Sequence, residues 1–238
     1  MHTQDRSLRA VWEDCFRSNL TRPGFTNAVI VLAGWVLTQG THAVTEALVV
    51  TDVARRRHWE AFHRFFSRET WSPDGLGEAV FRRLERHLGE GAIRIIVDDT
   101  LAAKKGPHVF GIGSHLDAVR STKRRKVFAF GHCWVVLAVL IRVPFSKRAF
   151  ALPVLFRLYR TVKSCTDPTS HAKKTALARE MLEVFLGWTG DRRIELAVDA
   201  GYCNDTVTRG LPARVVLFGA MRPDAVLTDA PALASSTR

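Results

Sequence analysis

The sequence predicts an α/β fold: a mixed sheet, built from an antiparallel hairpin plus parallel strands, preceded by an all-helical N-terminal domain. Three observations predict it. Apolar residues recur at helical spacing through the first 90 residues. From Ala92 the pattern changes to short β-branched runs. Two long apolar runs, 126–141 and 148–159, are joined by only a few residues, as in a hairpin. The expected organisation is a helical domain at 1–90, an RNase H-like core at 91–223 and a disordered tail at 224–238, rich in Ala, Pro, Ser and Thr.

The helical elements come first. Leu8, Val11, Trp12, Cys15 and Phe16 recur at i, i+3, i+4 spacing. Apolar stretches at 26–37 and 41–51 are separated by Gln39-Gly40, and 58–68 is amphipathic and aromatic-rich. Ser72 is a candidate N-cap with Pro73 in the first helical position, opening a helix to 88 that Gly89 and Gly91 end. A buried strand is expected at 93–97, followed by Asp98-Asp99-Thr100 as its end. Gly111-Ile112-Gly113 lacks a third glycine and opens no helix, which excludes a dinucleotide site. After the hairpin, Ala172, Ala176, Leu177, Met181, Val184, Phe185 and Trp188 share one face of a helix over 169–188. A strand at 194–198 ends at Asp199, a helical turn follows at 207–211, and a last strand spans 214–218. The order β, hairpin, α, β, α, β matches an RNase H-like core. Its crossover helix places the 194–198 strand beside the 93–97 strand.

Composition narrows the function. Of the 238 residues 47% are hydrophobic and 24% charged, which excludes a disordered chain. The net charge of +12 calls for a polyanionic partner. It is unevenly spread. Residues 1–90 carry 12 basic and 11 acidic side chains, residues 91–190 carry 17 and 6, and residues 191–238 carry 6 and 6. The middle segment therefore holds a net +11, densest at Arg120, Lys123, Arg124, Arg125 and Lys126, with Lys104 and Lys105 nearby. A basic run is most often a solvated loop, but a field this one-sided suits neutralisation of a phosphate backbone. The four cysteines form no C-x-x-C pair, which argues against structural zinc and suits a reducing cytoplasm. The longest uninterrupted apolar run, 133–141, is far short of the roughly 20 residues a spanning helix needs, so no membrane association is expected.

The predicted topology gives two acids a meaning. Asp98 and Asp199 follow neighbouring parallel strands, and ligand sites of open α/β sheets form beyond strand carboxyl ends. Two carboxylates there could share hard divalent cations for phosphodiester chemistry. Each alone reads as a turn or cap residue; the pair, in a basic domain, reads as a site. Asp99 competes with Asp98, because alternation from Ile95 to Val97 leaves both faces apolar. Asp98 is preferred, with Asp99-Thr100 serving as the turn. His132, Tyr202 and Cys203 read as packed side chains.

At these residues the chain resembles the DDE-type transposases of bacterial insertion sequences. The blocks IVDDTLAAKKG from Ile96, GHCWVVLAVL from Gly131 and LAVDAGYCN from Leu196 carry the resemblance, with HWEAFHRFFSRETWS from His58 similar to the segment upstream of their core. The resemblance covers roughly Val53 to Leu227. It implies an RNase H-like fold, cleavage and joining of DNA at transposon ends, and Mg²⁺ or Mn²⁺ held by three carboxylates. The first two correspond to Asp98, or Asp99, and Asp199. The third, a glutamate on a downstream helix, has no counterpart: the last glutamate is Glu195, and only Asp205, Asp224 and Asp229 follow Asp199. The expectation is a C-terminally truncated copy, acting alone as a homo-oligomer or in association with an intact transposase. The competing expectation is a catalytically inactive DNA-binding remnant.

Overall fold

A computed structural model describes residues 7–106 and 108–221. The chain divides into two compact units, Met1–Gly89 and the remainder from Glu90. The tail expected at 224–238, with Asp224 and Asp229, lies outside the described residues.

The first unit is helical: α1 (Leu8–Phe16), α2 (Arg22–Leu37), α3 (Val44–Val50), α4 (Glu60–Ser67) and α5 (Pro73–Glu85). Side-chain oxygens open three of them by accepting orphan backbone N–H groups: Ser7 from Ala10, Thr21 from Gly24 and Ser72 from Gly75. The Thr21 cap starts α2 four residues before its apolar run, so the helix is longer than expected. Helix α5 ends at Glu85, short of the expected 88. Val31, Leu48 and Phe62 form the centre of this unit's core, flanked by Ile30, Trp35, Val44, Val53 and Ala61. Gly34 lets α2 lie directly on α3, since an added methyl would sit 2.6 Å from the Ala47 backbone.

The second unit holds one mixed sheet of β1 (Ile93–Ala103), β2 (Gly113–Leu116), β3 (Phe128–Arg142), β4 (Ala149–Tyr159), β5 (Ile194–Val198) and β6 (Val215–Gly219). Helices α6 (Lys174–Trp188) and α7 (Asp205–Thr208) complete it. The chain order β1, β3, β4, α6, β5, α7, β6 is the expected one. Strand β3 pairs antiparallel with β1 on one edge and with β2 and β4 on the other, while β5 pairs parallel with β1 and β6 with β5. This is the RNase H-like mixed sheet. Helix α6 lies against β3 and β4 and buries Ala178, Met181, Leu182 and Phe185. Ile95, Val97, Val135, Leu137 and Val139 are buried, and alternation places them on one face of the strands.

Three expectations are corrected. Strand β1 does not end at Val97: its pairing with β3 continues to Ala103, opposite Gly131. Asp99-Thr100 is therefore ladder, not turn. A short strand, β2, begins at Gly113, where the sequence reading placed no element. Helix α6 begins at Lys174 rather than 169, because Asp167 caps a separate 3-10 turn at Pro168–Ser170. Among the described residues no helix is long and apolar enough to cross a membrane.

Candidate active site

Asp98 and Asp99 lie side by side in β1 and point to opposite faces. Ile93, Ile95 and Val97 alternate on the buried face, so Asp99 follows them and Asp98 does not. The burial pattern thus separates the two: Asp99 lies on the buried side of β1 and Asp98 on the exposed side.

Asp98 is exposed, and its Oδ1 accepts a 2.7 Å hydrogen bond from the Asp99 N–H. It faces Val136 across the β1–β3 pair, and Val136 faces Phe156 of β4. That face is thinly covered: Phe156 is 49% exposed and Phe218 54%. The same face carries the Arg94–Glu195 ion pair at 2.8 Å, which joins β1 to β5. The parallel register runs from Ile93↔Ile194 to Val97↔Val198. Asp98 and Asp199 are the next residues on the two strands, which in a sheet lie about 4.8 Å apart. Asp199 is exposed and closes the turn after β5, its Oδ1 accepting from Gly201 N–H at 2.9 Å and Tyr202 N–H at 3.1 Å. Two exposed carboxylates are hard oxygen ligands of the kind Mg²⁺ and Mn²⁺ take, and Mg²⁺ commonly binds through one or two carboxylates plus water and phosphate. Among the described residues no group of three or more acidic, histidine or cysteine side chains converges on such a position. Asp205 points elsewhere, pairing with Arg209 at 2.6 Å.

Asp99 has a different set of partners. Its Oδ2 accepts from Lys174 Nζ at 2.6 Å and from Cys133 Sγ at 3.4 Å; its Oδ1 accepts from the Tyr202 hydroxyl at 3.1 Å. Burial works to raise this carboxyl. The hydrogen bond and charge of Lys174, with the Tyr202 and Cys133 bonds, outweigh it and hold the group below the ordinary carboxylate range. Lys174 is raised in turn: burial opposes its charge, and Asp99 more than restores it. Burial first, then the charge of Asp99, pushes the Tyr202 phenol well up. Lys174 Nζ also lies 5.4 Å from the Tyr159 ring centroid. Sequence reasoning missed both Lys174 and Cys133. The alternation of Cys133 with Val135 and Leu137 was the only signal for one, and nothing local marked the other.

The cations sit on exposed connections between strands. Lys104 and Lys105 follow β1 and are exposed. Arg120, Lys123, Arg124, Arg125 and Lys126 are exposed in the β2–β3 connection. Asp117 Oδ1 caps it by accepting from Val119 and Arg120 N–H, Ser121 Oγ bonds Val127, and Thr122 pairs with Arg125. Phe128 and Phe130, at the start of β3, are exposed beside this tip. His132 is half-buried, with its Nε2 2.8 Å from the Phe110 carbonyl oxygen, so it is packed and committed.

The chain matches the DDE superfamily endonuclease family over residues 15–238 and belongs to it. No curated protein gives a significant sequence match. Among solved structures, the cryo-EM structure of the piggyBac transposase synaptic complex with hairpin DNA is similar at 10% identity and a TM-score of 0.42, covering 87% of this chain and 43% of that one. The chain thus spans less than half the length of that transposase.

Proposed function

We propose that this chain binds DNA and carries Asp98 and Asp199 as two carboxylates of a transposase-type site for DNA strand cleavage and transfer. One observation carries the reading: the two acids occupy consecutive positions past the Val97↔Val198 pair, on adjacent parallel strands of a DDE-family sheet. Mg²⁺ or Mn²⁺ held there would supply an activated oxygen nucleophile and charge neutralisation at a phosphodiester. The chain's own residues hold Asp98 in β1 and Asp199 in the turn that follows β5, and present Lys104, Lys105 and the β2–β3 cations to phosphates. A DNA-binding chain without cleavage is the second reading, favoured because no third acid joins the pair among the described residues.

Nicking of supercoiled DNA in Mn²⁺ tests the first reading. The expected result is weak nicking that Asp98→Ala and Asp199→Ala each abolish. Nicking that survives both substitutions refutes the pair. Loss in Asp99→Ala with Asp98→Ala still active moves the first ligand to Asp99. DNA binding with no nicking by the unaltered chain selects the second reading.

A further inference from the structure

We infer that Asp99 is a positioning residue: through the Tyr202 hydroxyl it fixes the turn that carries Asp199 against β1, beside Asp98. The inference rests on the reading of Asp98 and Asp199 as a ligand pair. Strand pairing alone does not hold Asp199. The β1–β5 ladder ends at Val97↔Val198, and Asp199 lies one residue beyond it, in a turn. The turn is closed internally, by Asp199 Oδ1 accepting from Gly201 and Tyr202 N–H and by the Asp199 carbonyl accepting from Tyr202 N–H at 3.2 Å. Those bonds shape the turn without attaching it to the neighbouring strand. The attachment is Tyr202, 3% exposed, whose hydroxyl reaches 103 residues back to donate to Asp99 Oδ1. One tyrosine thus touches Asp199 through its backbone and Asp99 through its side chain, and Asp99 is covalently next to Asp98.

The chemistry of the joint suits a strut. A phenol donating to an ionised carboxylate makes a charge-assisted bond, stronger than a neutral one and stronger again away from water. A half-buried carboxylate without a counter-charge would be costly, and Lys174, at the first turn of α6, supplies one at 2.6 Å. Asp99 is therefore saturated by three donors on the face opposite Asp98. Supports of this kind hold metal ligands in orientation, and their loss weakens metal binding without removing a ligand.

The test is a Mn²⁺ titration, read by the paramagnetic resonance of the free ion, alongside thermal melts. Asp98→Ala and Asp199→Ala define the site: each must reduce binding relative to the unaltered chain. Tyr202→Phe removes only the hydroxyl and should raise Kd about tenfold, the lower end for loss of such a support. Asp99→Asn keeps an acceptor for Tyr202 but loses the Lys174 ion pair. It should melt lower than Tyr202→Phe while keeping Kd close to that of the unaltered chain. This crossed pattern separates positioning from general stability. Kd values that simply follow melting temperature, or a Tyr202→Phe chain with unchanged Kd, overturn the positioning role and leave the site intact. Binding indifferent to Asp98→Ala and Asp199→Ala overturns the site, and the strut with it.

Discussion

Asp98 and Asp99 show how one covalent step along a strand separates two chemistries. Successive side chains point to opposite faces, so Asp98 stands in solvent and Asp99 meets Lys174, Tyr202 and Cys133. The pH dependence follows from the Asp99 set. Its carboxyl is lowered from the ordinary 3.8 in the folded chain. The unfolded chain therefore takes up the proton first, and the stabilisation is complete above the unfolded value and lost as pH falls through the folded one. Thermal melts of the unaltered chain should drop as pH falls below about 4, where the unfolded carboxyl takes up its proton before the folded one does. Asp99→Asn should start lower at neutral pH and show a shallower acid limb. Equal acid slopes would show that Asp99 gains nothing from Lys174.

At the scale of elements, β3 organises the second unit. Its 15 residues pair with β1 on one edge and with β2 and β4 on the other. Gly131 sits where β1 and β2 both pair with it, opposite Ala103 and Gly113. A methyl there would run into the Ala102 carbonyl oxygen and lie 3.0 Å from Ala103 Cα, and backbone atoms cannot swing aside as a flexible side chain can. Overpacking of this kind costs about 1–3 kcal/mol, more than the few tenths gained from alanine's lower backbone entropy in the unfolded chain. Gly131→Ala should therefore destabilise the sheet unit, with amide exchange rising in β1 and β3 while α2 and α3 keep their protection. Unchanged exchange in β1 would refute the close approach.

For the whole molecule, charge is the property that reaches furthest. The net +11 of residues 91–190 puts the excess positive charge on the sheet unit, whereas residues 1–90 are near neutral. The connection between β2 and β3 carries five of these cations, all exposed. Replacing Arg120, Lys123, Arg124, Arg125 and Lys126 by uncharged residues should weaken binding to all duplex sequences alike. It should also reduce the slope of log affinity against log salt by roughly 0.9 for each phosphate that is no longer neutralised. A salt titration with an unaltered slope would place the DNA elsewhere.

The sequence by itself determined the order of the long strands and of α6, the change from helix to sheet near residue 90 and the charge asymmetry. These are legible because hydrophobic periodicity, β-branching and charge are local properties of consecutive residues. Its reading of Asp99-Thr100 as a turn failed for a non-local reason: β3 extends the ladder six residues past Val97, to Ala103, and no residue near Asp99 announces that Val135 will pair with it. The same holds for the ends of α6 and for β2, whose four residues form a strand only because β3 offers them a paired edge. What only the tertiary structure decided is the sidedness of the two aspartates. Both faces of 95–97 are apolar in sequence. Lys174, 75 residues from Asp99, and Tyr202, 103 residues from it, become its partners only when α6 and the turn after β5 fold back onto β1.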